Sequence, residues 1–461
     1  MNKKILSNIK NYVKLLYRQP KGVYNEMKKL KVMYIIFLLF PLINLLTGLM
    51  TRYGDFPLTI GVIVRIALLV FLVMYVFFLS KSKYKKLTII YFSILAVFAI
   101  TYILTKPEYF TLRALYNEAN LMFKFMYFPI LILGMLNLCD EYGFDTKKWQ
   151  KIFLIGLIFY IIFILLPVIL QSSFNSYVRE KYGLVGWFYA ANEVGPILLM
   201  LYPATFSLLE KHKIWFLIIS FISILTILAI ATKVATIGLG MVIIIYAILY
   251  ILFKRKKVIN KAFLLIIILI YSILYSPFGD KLYANIEEYN SKNEKQPIVE
   301  TVPPNTTIQP NPQQPPKPEE SFLSQLLSNR DIKVKEMNKE YMEANVVDKL
   351  FGIGFYDAEK QEIKIAEMDF FDIFYHYGLI GFLILCFPYL FLLYSLIKSV
   401  KSKSYKWNLN LSYAILMFLL ILGIGFFAGH IISAPAVSSF LTIYYLYIFF
   451  SLKPKITLEN K

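Results

Sequence analysis

Apolar and polar positions divide this chain into long apolar runs separated by short polar or basic connections. The runs cover residues 32–50, 58–80, 87–105, 119–138, 150–170, 195–209, 214–231, 235–253, 260–276, 374–397, 409–429 and 433–451. A helix rises about 1.5 Å per residue and the hydrocarbon core is about 30 Å thick, so about 20 apolar residues cross it. The pattern predicts an all-α polytopic membrane protein with about 12 transmembrane helices. The sixth and seventh runs are short and fit tilted or partly re-entrant helices. One interruption is far longer than the others: residues 277–373, a large polar loop between the ninth and tenth runs.

That loop has distinct parts. Residues 296–320 carry Pro303, Pro304, Pro310, Pro312, Pro315, Pro316 and Pro318 among Thr, Asn and Gln, a composition that buries no core and predicts an extended tether. Residues 321–372 form the functional part. Ser328 followed by Asp331 fits a capping box. Ile332, Met337, Tyr341 and Val346 then mark a loosely periodic apolar face, until Gly352 and Gly354 break the helix. Arg330 falls in the first turn, where the helix dipole and free N–H groups favour an anion. Glu367, Asp369 and Asp372 stand just before the tenth run. At the other extreme, residues 1–31 alternate Lys with Ile, Leu, Val and Tyr and predict a basic amphipathic helix lying on the cytoplasmic leaflet. They have no apolar stretch ending in small residues, as a cleavable signal peptide would.

Composition narrows the function classes. At 58% hydrophobic residues the 461-residue chain is not a soluble enzyme. Its net charge of +20 suggests nucleic acid until the charges are mapped. Lys and Arg concentrate in 2–31, 81–86, 254–261, 398–406 and 453–461, alternating with poorly charged or acidic connections. The positive-inside rule then places both termini in the cytoplasm and the long loop outside, and the basic excess becomes an orientation signal and an anionic-lipid contact. The organisation is a cytoplasmic N-terminus 1–31, helices over 32–276, an extracytoplasmic loop 277–373, helices over 374–452 and a cytoplasmic tail 453–461. Cys139 and Cys386, one at a helix end and one within a run, give no disulfide framework. With three His and two Cys, no zinc-ligand spacing exists. No phosphate-binding glycine loop is present either, so neither a metal, another cofactor nor a nucleoside triphosphate is expected.

Charges within or at the rim of a membrane are costly and point to function. Arg65 and Lys124 lie within runs, where snorkelling is the plainer reading. Lys233 interrupts a tight connection and suits an anion, or simply solvent. Arg179 and Lys181 precede Trp187, Tyr189, Asn192 and Glu193. Cations beside aromatics suit a diphosphate and a sugar ring, although Trp187 and Tyr189 also fit an interfacial aromatic belt. Around Glu367, Asp369 and Asp372 the physical options are a general base that takes a proton from a sugar hydroxyl, a substrate-hydroxyl orienter or a metal pair, and Arg330 with Lys233 suit stabilisers of a departing diphosphate.

The order of these elements resembles the O-antigen ligase and polysaccharide polymerase superfamily. The resemblance rests on Arg330, the run Leu350-Phe-Gly352-Ile-Gly354-Phe, the run Glu367-Met-Asp369-Phe-Phe-Asp372, and Gly378-Leu-Ile-Gly381. Gly186 through Asn192, Glu193, Gly195 and Pro203 are similar to the family's Gly…Asn…Pro region, and Thr232-Lys233-Val-Ala235 to its Ser-Arg-x-Ala turn. The resemblance implies a metal-independent glycosyltransferase that moves a polyprenyl-diphosphate-linked glycan onto an acceptor hydroxyl at the outer face of the cytoplasmic membrane. It implies catalytic roles for Glu367, Asp369 and Arg330, diphosphate contacts from Lys233, Arg330, Arg179 and Lys181, and glycan contacts from Asn192, Trp187 and Asp372. Gly352 and Gly354 would set the loop geometry, and a flippase and a chain-length regulator are the implied partners. Lipid A-core ligases carry a His where this chain has Glu367, eleven residues before Gly378, which points to a polymerase instead. The alternative class is a transporter or lipid-linked-oligosaccharide flippase, which internal repeats and broken helices in matching halves would support.

Overall fold

The apolar runs are helical in the computed structural model, which describes residues 21–54, 56, 58–106, 111–176, 183–210, 212–253, 256–274, 276, 279, 327–357, 362–402 and 408–452. The first, α1 (Lys21–Tyr53), is continuous from the basic segment into the apolar one. Residues 1–20, most of the expected basic amphipathic segment, lie outside the described set. Next come α2 (Ile60–Met74), extended by a π-helical turn at Tyr75–Leu79, α3 (Lys85–Leu104), α4 (Leu112–Tyr142) and α5 (Thr146–Ile169). A small hairpin follows, in which β1 (Phe174–Asn175) pairs with β2 (Leu184–Gly186). The sixth run is divided into α6 (Ala191–Ala204) and the short α7 (Phe206–Leu209), just after Pro203. Then α8 (Lys213–Ala229), α9 (Lys233–Leu252) and α10 (Lys256–Leu274) lead to the long loop.

The described part of that loop holds α11 (Arg330–Glu343), α12 (Val346–Phe351) and a hairpin of β3 (Tyr356–Asp357) with β4 (Glu362–Ile363). After it come α13 (Asp369–Ser402), α14 (Leu409–Phe427) and α15 (Pro435–Ser451). The Pro-rich segment 296–320, the tail 453–461, Arg179 and Lys181 lie outside the described residues. Among those described, eight helices are long and apolar enough to cross a membrane, and Lys213–Ala229, Leu264–Ile273 and Pro435–Ser451 are shorter apolar helices. This is a multi-pass membrane protein, almost all helical.

Helix α4 is the inner post of the bundle. From Leu121 to Cys139 nearly every side chain is buried, and α15 packs beside it with the Tyr127 and Ser439 hydroxyls 2.8 Å apart. At one end of α4 the Glu141 carboxylate accepts from Ser80 Oγ at 2.6 Å and from the Ser82 N–H at 2.9 Å, which closes the α2–α3 connection. At the other end Glu118 is fully buried and accepts from Tyr102 Oη at 2.6 Å. The loop has a small core of its own, in which Met337, Tyr341, Ala366, Met368 and Tyr375 pack together. Tyr341 donates to the Lys349 carbonyl at 2.7 Å and Tyr375 to Asn338 Oδ1 at 3.2 Å, tying α11 to α12 and to α13. Val346, expected on the apolar face of one helix, is 72% exposed, because α11 stops at Glu343 and α12 starts in a new direction.

Candidate functional site

The site is built on the first turns of α13, where the backbone leaves helical geometry at Gly378 with φ +67°. The strap after α12 hooks into that kink. The Ile353 N–H donates to the Tyr375 carbonyl at 2.9 Å and the Gly354 N–H to the His376 carbonyl at 3.2 Å. Gly352 has φ +94°, and a Cβ there would stand 1.9 Å from the His376 oxygen; one on Gly378 would stand 2.4 Å from the Gly352 nitrogen. Only glycines allow two backbones to interlock so closely. His376 is fully buried, with Nδ1 2.6 Å from the Gly354 carbonyl oxygen and its ring 3.9 Å from the ring of Phe355.

Immediately before α13 the three acids of the Glu367–Asp372 run face three different ways. Asp372 is buried and accepts from the Ala366 N–H at 2.8 Å and the Met368 N–H at 3.1 Å, which folds the turn below Glu367. Asp369, also buried, reaches the connection between α14 and α15. Its Oδ2 accepts from the N–H groups of Ile431 and Ile432 at 2.8 and 2.6 Å, and its Oδ1 from Ser433 Oγ at 2.6 Å. Glu367 is the accessible one, with its side chain 41% exposed.

Around Glu367 gather two cations and a histidine from two other segments. Arg330 Nη2 donates to its Oε2 at 3.0 Å, Lys333 Nζ lies 3.7 Å from its Oε1, and His430 Nε2 lies 3.9 Å from its Oε2. Arg330 opens α11 as expected, but without the capping box. Ser328 and Asn329 both adopt positive φ, and no side chain caps the helix. The Arg330 side chain is 13% exposed and its Nε has no hydrogen-bond partner, which leaves a buried donor for an incoming acceptor. His430, with Lys333 and Arg330, holds the Glu367 carboxyl down at about 2 against the opposing effect of burial. For His430 burial works against the charged form, but Glu367 at its side and the charges of Asp369 and Glu193 outweigh it and raise its pKa.

A second corner forms where α6 and α9 begin. Thr232 caps α9 by accepting from the Ala235 N–H at 3.2 Å, which places Lys233 exposed at its first position, and a Cβ on Gly195 would stand 3.0 Å from that of Ala235. Asn192 and Glu193 lie in the adjoining first turn of α6, and Glu193 links this corner electrostatically to His430. Trp187 is half-buried and donates from Nε1 to Ser172 Oγ at 3.2 Å, against the end of α5. Nearby, Arg52 lies over the Phe174 ring at 4.0 Å and the exposed Tyr189 ring at 5.6 Å. Deeper in the bundle Arg65 donates to Asn44 Oδ1, whose amide donates to Tyr160 Oη at 2.8 Å, so this cation is hydrogen-bonded inside rather than snorkelling. Lys124 is half-buried on α4.

The structure thus brings Arg330 and Glu367 into contact, engages the Asp369 and Asp372 carboxylates with backbone N–H donors, and places Asn192 and Lys233 in the first turns of α6 and α9. Lys333 and His430 escaped the sequence reading. The one available signal for His430 was its position, a histidine in the break between the last two apolar runs, on the side of the bundle that carries the long loop.

No curated protein and no solved structure matches the chain. The sequence profile described as O-antigen ligase like membrane protein matches residues 25–455, nearly the whole length and all of the segments that build the site. With that match added to the helical membrane bundle, the chain belongs to the O-antigen ligase like membrane protein family.

Proposed function

We propose that this protein is a glycan transferase of cell-surface polysaccharide biosynthesis, taking an oligo- or polysaccharide from a polyprenyl diphosphate and passing it to an acceptor hydroxyl. Family membership supports membrane glycan processing. The observation that carries the finer reading is the cluster of Arg330, Lys333, His430 and Glu367 at one end of an apolar bundle, where a lipid-held diphosphate would present its charge. Arg330 offers a fork and an unused Nε to phosphate oxygens; Lys233 would add a point charge, and Arg179 and Lys181 remain diphosphate contacts implied by the sequence alone. Diphosphate departure supplies the driving force, in keeping with a chain that carries no nucleotide motif.

The orientation follows the charge pattern: both termini cytoplasmic, about 12 spans, and the cluster outside. Asn192 and Trp187 would meet the glycan. Buried Asp369 and Asp372 act as positioning residues in this reading, each carboxylate already engaged by backbone N–H donors. A carboxylate instead of His at position 367 favours polymerisation over transfer to a lipid A core. Purified protein in nanodiscs, supplied with a polyprenyl-diphosphate oligosaccharide, should release polyprenyl diphosphate as glycan length grows. Arg330→Ala should reduce this at least about a hundred-fold at unchanged protein level, the scale of removing one transition-state charge partner. Movement of the intact lipid-linked donor across the bilayer without release would mean a flippase.

A further inference from the structure

We infer that His430 is the group that takes the proton of the acceptor hydroxyl, with Glu367 as its positioning residue; this rests on the transferase reading. The backbone is the first observation. Among the described residues, Glu367 with φ +62° and His430 with φ +58° are two of six non-glycine residues at positive φ, and these two abut. A Cβ on Gly429 would stand 2.3 Å from the Glu367 carbonyl oxygen, so the two turns are stacked backbone to backbone. Non-glycine residues keep such conformations only where the surroundings over-determine them, and such sites cluster where function needs them. Here the over-determination is visible in Asp369, which fixes the three residues after His430 through Ile431, Ile432 and Ser433.

The second observation is how the neighbouring groups are occupied. Glu367 faces Arg330, Lys333 and His430 together and is a weak base. The chain has three histidines. His376 is sealed under Phe355, and His212 precedes α8 at the far end of that helix from the Ala231 turn. His430 keeps its side chain 33% exposed, with Nε2 turned to Glu367 and the carboxylates of Asp369 and Glu193 also acting on it. That sets an imidazole beside one acid, with Nε2 3.9 Å from Glu367 Oε2, and in the proposed role the other nitrogen takes the proton.

The step balances as follows. The imidazole accepts the hydroxyl proton while the acceptor oxygen forms its bond to the anomeric carbon. The bond from that carbon to the diphosphate oxygen breaks, and its electron pair leaves with polyprenyl diphosphate, whose charge Arg330 and Lys333 receive. Glu367 holds the imidazolium until the proton passes to water or to the departing diphosphate.

The test uses the full-length protein in nanodiscs with a polyprenyl-diphosphate oligosaccharide donor. The base must be neutral to act, so the wild-type rate should rise with pH through a midpoint above the ordinary imidazole value of about 6.5. Glu367→Gln removes a negative charge beside the ring and should move that midpoint downward. His430→Asn suits the left-handed backbone and should lose about a hundred- to ten-thousand-fold in rate, with little change in donor KM. It should also lose the pH step and recover activity with added imidazole. A merely structural His430 would give unrescued loss with the wild-type midpoint kept, and that result, or a His430→Asn variant of normal rate, overturns the inference while leaving the transferase reading intact. A wild-type protein that releases no polyprenyl diphosphate overturns both.

Discussion

Replacing Asp369 by Ala tests whether the α14–α15 connection is held in place by one buried carboxylate. The substitution strips the acceptor from the Ile431 and Ile432 N–H groups, both buried, and from Ser433 Oγ. Hydrogen bonds to a charged partner contribute about 1.5–3 kcal/mol each, and the Ser433 hydroxyl, half-buried, can turn to water. Counting only the two N–H groups at the lower figure gives about 3 kcal/mol of lost local stability. At about 1.4 kcal/mol per tenfold, the connection should open roughly 150 times more often. Amide hydrogen exchange of the detergent-solubilised protein, read at Ile431 and Ile432, should accelerate by about that factor. Asp369→Asn keeps one acceptor oxygen and should accelerate exchange only about tenfold. Glycan transfer should fall in both, because His430 loses its register with Glu367. A folded Asp369→Ala protein with wild-type exchange at these two amides would refute the argument that this carboxylate holds the connection.

Two further substitutions probe how the loop is docked. Gly352→Ala forces a methyl group to within 1.9 Å of the His376 oxygen at φ +94°, and should cost about 4 kcal/mol or more, seen as a drop in Tm or loss of folded protein. Lys106 is 3% exposed and its ammonium pairs with Asp348 on α12, so Asp348→Ala strands a buried cation. That should cost about 3 kcal/mol in thermal unfolding, and most of it should return in the Lys106→Met/Asp348→Ala double variant.

The helices were legible because an apolar run needs nothing beyond its own length to demand burial. The same holds for Arg330, whose place at the start of α11 follows from local pattern. The capping box at Ser328 was not borne out, since contacts distant in sequence set that turn, among them the pairing of Arg330 with Glu367. The acids show the limit most clearly. In sequence Glu367, Asp369 and Asp372 read as one acidic group, yet their partners are Arg330, the 431–433 backbone and the 366–368 turn. Asp369 reaches its partners across 62 to 64 residues, and no periodicity records such a contact. His430 was missed for the same reason. Its meaning lies in that clamp, since the residue carries no motif of its own.

The hook between Gly352 and the Gly378 kink joins the Asp369 clamp and the Glu367–Arg330 pair on one short stretch of α13 and the turn before it. Three segments of chain therefore share a single foundation. Their backbones are braced against one another there. A substitution that loosens α13 there should disturb all three segments together.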